Sequence, residues 1–402
     1  MQKLVISILL ACSLLLSGCN NSNSSFDPNN EVHKPSIKHI DLVQNKINKM
    51  NLDEKIGQLV IVGLDGYTMN DNINNLIEKN KVGGVILFSN NVENSNQLLN
   101  LTNSLKTKNS QNKTPLFISV DEEGGRVSRM PNEINNIPSN EFIGKRNDVN
   151  LSYNIGKIIG EELKTFGFNM DFAPVLDINS NVNNPVIGDR AFGSTTNIVN
   201  KLGIKTMDGI RDNNIIPVVK HFPGHGDTSV DSHVGLPVVN KNLTELNNFE
   251  LVPFKEAIKN NVDAIMVSHI LLNKIDATSP ASMSKIIITN ILRGTLKFTG
   301  VVITDDMTMG AIIKYNDIGD AAVKSFNAGS DIILVCHEYD NDIKVINSLK
   351  NAVKNKLIPE NRLNENVYKI LKLKEKYNVN NNLVSPININ NINTKIKTLL
   401  KK

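Results

Sequence analysis

Ile215-Ile216-Pro217-Val218-Val219-Lys220-His221-Phe222-Pro223-Gly224-His225-Gly226-Asp227-Thr228-Ser229-Val230-Asp231-Ser232-His233 is the stretch around which the chain is organised. It opens as a short apolar run and then hands over titratable groups, among them three of the seven histidines. A buried strand that delivers polar residues at its end is how parallel barrels assemble a site. Pro223, Gly224 and Gly226 interrupt regular structure, which lets the loop turn its polar groups inward.

Seven more runs of the same kind flank this one: Leu59–Leu64, Val82–Phe88, Leu116–Val120, Met170–Val175, Ala264–His269, Val301–Asp305 and Ile332–Val335. Most are short and mainly apolar, as strands covered on both faces should be. Amphipathic stretches separate them. Ile40, Val43 and Ile47 share a face of an opening helix that ends near Asn51; Leu251, Phe254 and Ile258 form another stripe, and Ala321, Val323 and Phe326 lie in a further candidate helix. Eight alternating units between about residues 38 and 376 predict an α/β fold, a (β/α)8 TIM-type barrel forming a single catalytic domain, with a doubly wound sheet as the alternative.

The polar residues gather at one edge of this pattern. Asp121 and Glu122 end the third run, Asp177 follows the fourth, Lys220 and His221 end the fifth, Ser268 and His269 the sixth, and Asp305 and Asp306 the seventh. In a barrel all these ends meet at one mouth. Asp305 would be held there by its strand. Side chains alternate across a strand, so only one of Asp305 and Asp306 points into the mouth, and Asp305 is preferred. Asp231 and His233, two apart, share a side if locally extended. A histidine beside a carboxylate favours its imidazolium form and can deliver a proton near neutral pH. One fixed carboxylate and one proton donor suit displacement at an acetal carbon. Asp121, Arg129, Arg190, Lys220 and His221 would bind a hydroxyl-rich ligand. His225 and Asp227 read as loop-shaping residues. Arg126 reads as an ion-pair partner of Glu122 or Glu123, His269 equally as a ligand contact or a satisfied wall residue, and His337, His33 and His39 as solvated or structural. The competing chemistry is a metal-dependent hydrolase, since His221, His225, Asp227, Asp231 and His233 are all zinc-ligand types.

The ends of the chain bound its setting. Lys3 followed by the apolar run Leu4–Leu16 and the small-residue site Leu16-Ser17-Gly18-Cys19 is similar to a bacterial lipoprotein signal, with residues 1–18 removed and Cys19 lipidated. The run is too short to span a bilayer. This predicts an exported protein held to the membrane through Cys19, facing outside the cytoplasm. Residues 19–37, rich in Asn and Ser after the cysteine, read as a tether with a reach of roughly 20–25 Å. Residues 377–402 read as an Asn- and Lys-rich, solvated tail with a weak apolar pattern at Ile387–Ile396. Cys336 ends an apolar run and reads as a buried small hydrophobe. A formal net charge of +4 over 402 residues, without tryptophan, argues against nucleic acid as a partner. A monomer is expected.

Four blocks carry a resemblance. Val120-Asp121-Glu122-Glu123-Gly124-Gly125-Arg126-Val127-Ser128-Arg129, Gly188-Asp189-Arg190-Ala191-Phe192-Gly193, Lys220–His233 and Gly300–Met309 resemble the motifs of family 3 glycoside hydrolases, in particular the β-N-acetylglucosaminidase branch. Leu52–Leu59 and Ser279–Ser284 add to it, and the likeness runs in order from about residue 40 to 375. The resemblance implies a TIM-type barrel without metal or organic cofactor, which releases terminal β-linked GlcNAc with retention, commonly from wall muropeptides. It implies Asp305 as nucleophile, His233 as acid/base with Asp231 as its dyad partner, and Asp121, Arg129, Arg190, Lys220 and His221 as residues gripping the terminal sugar. The partner expected is therefore a carbohydrate, a GlcNAc-terminated wall fragment. Phosphate in place of water as acceptor is a minor variant, and a wall-saccharide-binding lipoprotein without turnover is the non-enzymatic one.

Overall fold

The computed structural model describes residues 41–386 and 388–401. The leader, Cys19, the tether, His33, His39 and Ile40 lie outside them. Among the described residues ten strands occur in chain order: β1 (Val60–Val62), β2 (Gly84–Leu87), β3 (Phe117–Val120), β4 (Met170–Asp171), β5 (Ile216–Phe222), β6 (Val238–Val239), β7 (Ala264–Val267), β8 (Leu271–Leu272), β9 (Val301–Asp306) and β10 (Ile332–Val335). Eight of them close a barrel in the order β1-β10-β9-β7-β5-β4-β3-β2. Every barrel pair is parallel. The protein is a (β/α)8 barrel, and each of the eight apolar runs supplies one of its strands. β6 and β8 pair beside it as a two-stranded ribbon.

The reason these runs become strands is visible in their burial. All seven residues of β5 are buried, as are all of β2, β3, β7 and β10, because helices cover the outside while side chains fill the inside. The fourth strand is shorter than its apolar run: pairing pauses after Asp171 and returns as a single bridge between Val175 and Lys220. Pro174, lacking an N–H, contributes no donor to the ladder there. The helices start where their caps place them. Asp41 caps Leu42–Asn48, Asn51 and Glu54 form a reciprocal capping box on Leu52–Gly57, and Asp317 caps Ile318–Ala328.

The C-terminal stretch is no solvated tail. Ile389–Leu400 is a helix, with Ile392 and Ile396 buried, packed on the helix Val149–Thr165. Ile389, Ile392, Ile396 and Leu399 fall on one helical face, and that stripe requires cover. Asn393 exchanges hydrogen bonds with the backbone of Asn135 and Glu133, and Lys395 pairs with Glu161. Among the described residues no helix is long and apolar enough to cross a membrane.

Candidate active site

The floor of the barrel mouth is a buried charge network. Lys220, at the end of β5, places Nζ 2.5 Å from Asp121 Oδ1 and 2.7 Å from Glu123 Oε1. Arg190, on the short turn Gly188–Arg190, clamps the same Glu123 with both arms, Nε to Oε2 at 2.8 Å and Nη2 to Oε1 at 2.7 Å. Two cations thus face two carboxylates, the condition under which charges tolerate burial. Burial alone would raise the Glu123 carboxyl; Arg190 and Lys220 outweigh it and hold it well below the ordinary range. Burial alone would lower the Lys220 ammonium, but Asp121 and Glu123 raise it on balance. Lys220 is therefore a fixed cation and hydrogen-bond donor, unsuited to act as a base at neutral pH.

Beside it, His221 gives its Nδ1 to Asp177 Oδ2 at 2.6 Å, while Nε2 lies 3.4 Å from Arg190 Nη2. Asp177 also receives the backbone N–H of His225 at 2.6 Å. It is fully buried, which would raise its carboxyl, yet His221 and these hydrogen bonds keep it below its ordinary value. His225 has both ring nitrogens occupied, Nδ1 at 2.7 Å from Thr228 Oγ1 and Nε2 at 3.2 Å from Ser232 Oγ. Burial and the neighbouring His221 push it down to about 4, so it is a neutral strut inside the loop. Asp227 pairs with Lys241 at 2.9 Å. Gly226 packs so tightly on the neighbouring loop that a Cβ there would sit 1.8 Å from the Ile178 carbonyl oxygen, which is why a side chain is excluded.

Farther along the loop, Asp231 Oδ1 accepts from both His233 N at 2.9 Å and His233 Nδ1 at 2.8 Å. The histidine side chain is two-thirds exposed at the cleft's edge. Burial would raise the Asp231 carboxyl, and the His233 hydrogen bonds overcome it to give a net lowering. In the same cleft, the Asp305 carboxylate at the end of β9 accepts, among the described residues, only the Asp306 N–H, at 2.9 Å. Burial would raise it; His221, His269, the Asp306 amide and His233 together hold it below its ordinary value, ionised at neutral pH. Asp306 is committed elsewhere, to Thr308 N and Oγ1 at 2.9 and 2.6 Å and to Cys336 N at 3.0 Å. Contrary to the expectation from strand alternation, both aspartates line the cleft; they differ in that the Asp306 carboxylate is spent on the turn while that of Asp305 is left open.

A cleft of about 450 Å³ unites Asp121, Arg129, Arg190, Lys220 and His221 with His233 and Asp305. Asp231 borders it through its bond to His233. Arg129 contributes a buried Nε that has no hydrogen-bond partner among the described residues, a donor available to a ligand. His269 is a satisfied wall residue, its nitrogens on Ser282 Oγ and the Asp306 carbonyl. His337, expected to stand apart, instead lines the cleft and stacks on Phe88 with ring centroids 5.3 Å apart. Arg126 pairs with Asp189 at 2.8 Å, not with Glu122 or Glu123. Glu122 instead accepts Ser128 Oγ and Arg129 N, holding the loop that carries Arg129. Glu123 and Asp177 are two further carboxylates of the mouth, each holding a candidate site residue in place. Their position at strand ends was a signal, but their partners lie 67 and 44 residues away.

The five zinc-ligand types of the 221–233 segment do not converge. Among the described residues no group of three His, Cys, Asp or Glu side chains is arranged to hold a metal ion. His225 spends its ring on Thr228 and Ser232, and Asp227 its carboxylate on Lys241.

Residues 51–373 match the glycosyl hydrolase family 3 N-terminal domain. The chain belongs to glycosyl hydrolase family 3. Within that family it is 37% identical over 334 residues to β-hexosaminidase A of Pseudoalteromonas piscicida, an alignment covering 77% of this chain and 56% of that protein. It is 36% identical over 275 residues to the β-hexosaminidase of Methylobacillus flagellatus, covering 67% and 77%. A solved family 3 β-N-acetylglucosaminidase from Paenibacillus sp. superposes with a TM-score of 0.84 at 38% identity, over 87% of this chain and 68% of that one. The chain thus spans just over half the length of the Pseudoalteromonas relative. Family 3 membership makes the barrel a glycosidase scaffold.

Proposed function

We propose that the protein is an exo-acting, retaining β-N-acetylglucosaminidase that hydrolyses terminal β-linked GlcNAc. The observation that carries the proposal is the meeting of an ionised, otherwise unengaged Asp305 carboxylate and the His233–Asp231 pair in one cleft. In the first step an Asp305 oxygen attacks C1 of the sugar while the His233 ring gives its proton to the departing oxygen. A glycosyl ester on Asp305 results. In the second step His233 takes a proton from water, the water oxygen attacks C1, and the Asp305 carboxylate leaves. Asp231 fixes the histidine tautomer by accepting from Nδ1, so that Nε2 is the nitrogen that exchanges the proton. Lys220, Asp121, Arg190, His221 and Arg129 grip the hydroxyls and the acetamido group of the terminal sugar. The names of the relatives support GlcNAc as that sugar.

The natural substrate is a GlcNAc-terminated peptidoglycan fragment, a reading supported by the resemblance of residues 1–19 to a lipoprotein signal. Lipidation at Cys19 would hold the enzyme outside the cytoplasm, where such fragments arise. The test is chromophore release from an aryl β-GlcNAc by the chain lacking residues 1–19, with and without chelator. Asp305→Ala is expected to lower kcat/KM by about 10²–10⁴-fold. His233→Ala is expected to lower kcat by about 10²–10⁴-fold while sparing kcat/KM, because the activated aryl group leaves with little help and the ester still needs a base. Wild type should be indifferent to chelator. Loss of wild-type activity on chelation would return the histidine cluster to a metal site. Inert wild type on every aryl glycoside would favour a saccharide-binding role.

A further inference from the structure

The acid/base histidine stands on a loop whose own hydrogen bonds, the His225 ring to Thr228 and Ser232 among them, brace it internally. Val234 N and Gly235 N close on the Asp231 carbonyl, and His233 N closes on the Asp231 carboxylate. None of these ties His233 to the strand that carries Asp305. The tie comes from a neighbouring segment. Three successive carbonyls, Ser232 O, His233 O and Val234 O, accept from Ala311 N at 3.0 Å, Gly310 N at 3.2 Å and Lys314 Nζ at 2.7 Å. The donors begin four residues after the end of β9.

The turn between is built by Asp306. Its carboxylate accepts Thr308 N and Oγ1 and Cys336 N, and its carbonyl accepts Met309 N at 3.1 Å. The contact with His233 is close: a Cβ on Gly310 would lie 2.5 Å from His233 O. That separation is below any real Cβ contact, and its neighbour is backbone, so a side chain there must displace the loop.

We propose that the segment 310–314 is a clasp that sets His233 against Asp305, with Gly310 and Lys314 as positioning residues and Asp306 as the builder of the turn. The nucleophile's strand and the acid's loop are then one mechanical unit. The second aspartate of the pair then serves to hold the turn that carries the clasp. The proposal rests on the assignment of His233 as proton donor and Asp305 as nucleophile.

Leaving-group dependence separates a misplaced acid from a damaged fold. An alkyl β-GlcNAc needs the proton to depart, whereas an activated nitrophenyl glycoside leaves with little help. Because kcat/KM reports the first step, it is the quantity to compare. Gly310→Ala is expected to lower kcat/KM on the alkyl glycoside by about 30-fold or more and on the nitrophenyl glycoside by less than about 3-fold. Lys314→Met moves the same way by a smaller factor, and Lys314→Arg restores the alkyl rate. Equal losses on both substrates, or none in either variant, overturn the clasp. His233→Ala is run beside them. If it lacks leaving-group selectivity, the acid assignment fails and the clasp falls with it; if it shows selectivity and the clasp variants do not, only the clasp fails. Should Gly310→Ala not fold, the Lys314→Met and Lys314→Arg pair decides alone.

Discussion

Replacing Glu123 by glutamine tests how the floor of the site is held. The carboxylate is 1% exposed and makes three contacts of 2.7–2.8 Å, two to Arg190 and one to Lys220. Glutamine keeps one acceptor oxygen and turns an NH₂ donor towards a cation. Breaking a buried ion pair from one side costs about 3–5 kcal/mol. Lys220 retains Asp121, so the lower end, about 3 kcal/mol, is expected. This is a large share of a typical folding stability of about 5–15 kcal/mol. The sign of the pH dependence follows from the depressed carboxyl of the folded state. Its contribution is complete above the unfolded value of 4.5 and is lost as pH falls towards the folded one. Urea unfolding of wild type and Glu123→Gln should therefore show a constant gap between about pH 5 and 8, narrowing under more acid conditions. A gap below about 1 kcal/mol at neutral pH, or one that widens on acidification, would refute the reasoning.

The adjacent Glu122 should behave oppositely. Burial raises it to about 7, opposed by the hydrogen bonds from Arg129 and Ser128, against 4.5 when unfolded. The folded state then holds its proton more tightly, so stability falls as pH rises through that window and is flat beyond it. Glu122→Gln keeps an acceptor for both donors and should stabilise the fold more near pH 8 than below about pH 5; a gain independent of pH in thermal melts would contradict this. Ending the chain after Val384 removes the buried Ile392 and Ile396 and should lower stability by about 3–6 kcal/mol, whereas an unchanged urea midpoint would show the helix Ile389–Leu400 to be dispensable.

The barrel was legible because its strands are covered on both faces. Such strands must be continuous apolar runs, and Ile216–Val219 or Ile332–Val335 cannot be mistaken for amphipathic hairpin strands. The strand-end placement of Lys220, His221 and Asp305 was legible for the same reason, since a charge ending an apolar run marks the rim. Pairings across the mouth were not. Nothing local distinguishes Glu122 from Glu123, yet one holds a loop through Ser128 and the other binds two cations. His337 joined the cleft through a stack on Phe88, a contact between the segments that follow β2 and β10 and that no sequence spacing encodes. The C-terminal helix was hidden by its composition. Its asparagines and lysines suggested solvent, but four apolar residues on one face were enough to dock it.

The central claim is that Asp305 bonds to the sugar. The direct measurement is the intact mass of the His233→Ala variant, quenched in acid during turnover of a nitrophenyl β-GlcNAc and followed by peptide mapping. Without the base, hydrolysis of the ester slows while its formation from an activated glycoside continues, so the intermediate accumulates. The prediction is a population heavier by one N-acetylglucosaminyl group, mapped to Asp305 and absent in an Asp305→Ala, His233→Ala double variant. Product release with no adduct, or an adduct on any other residue, would contradict the account.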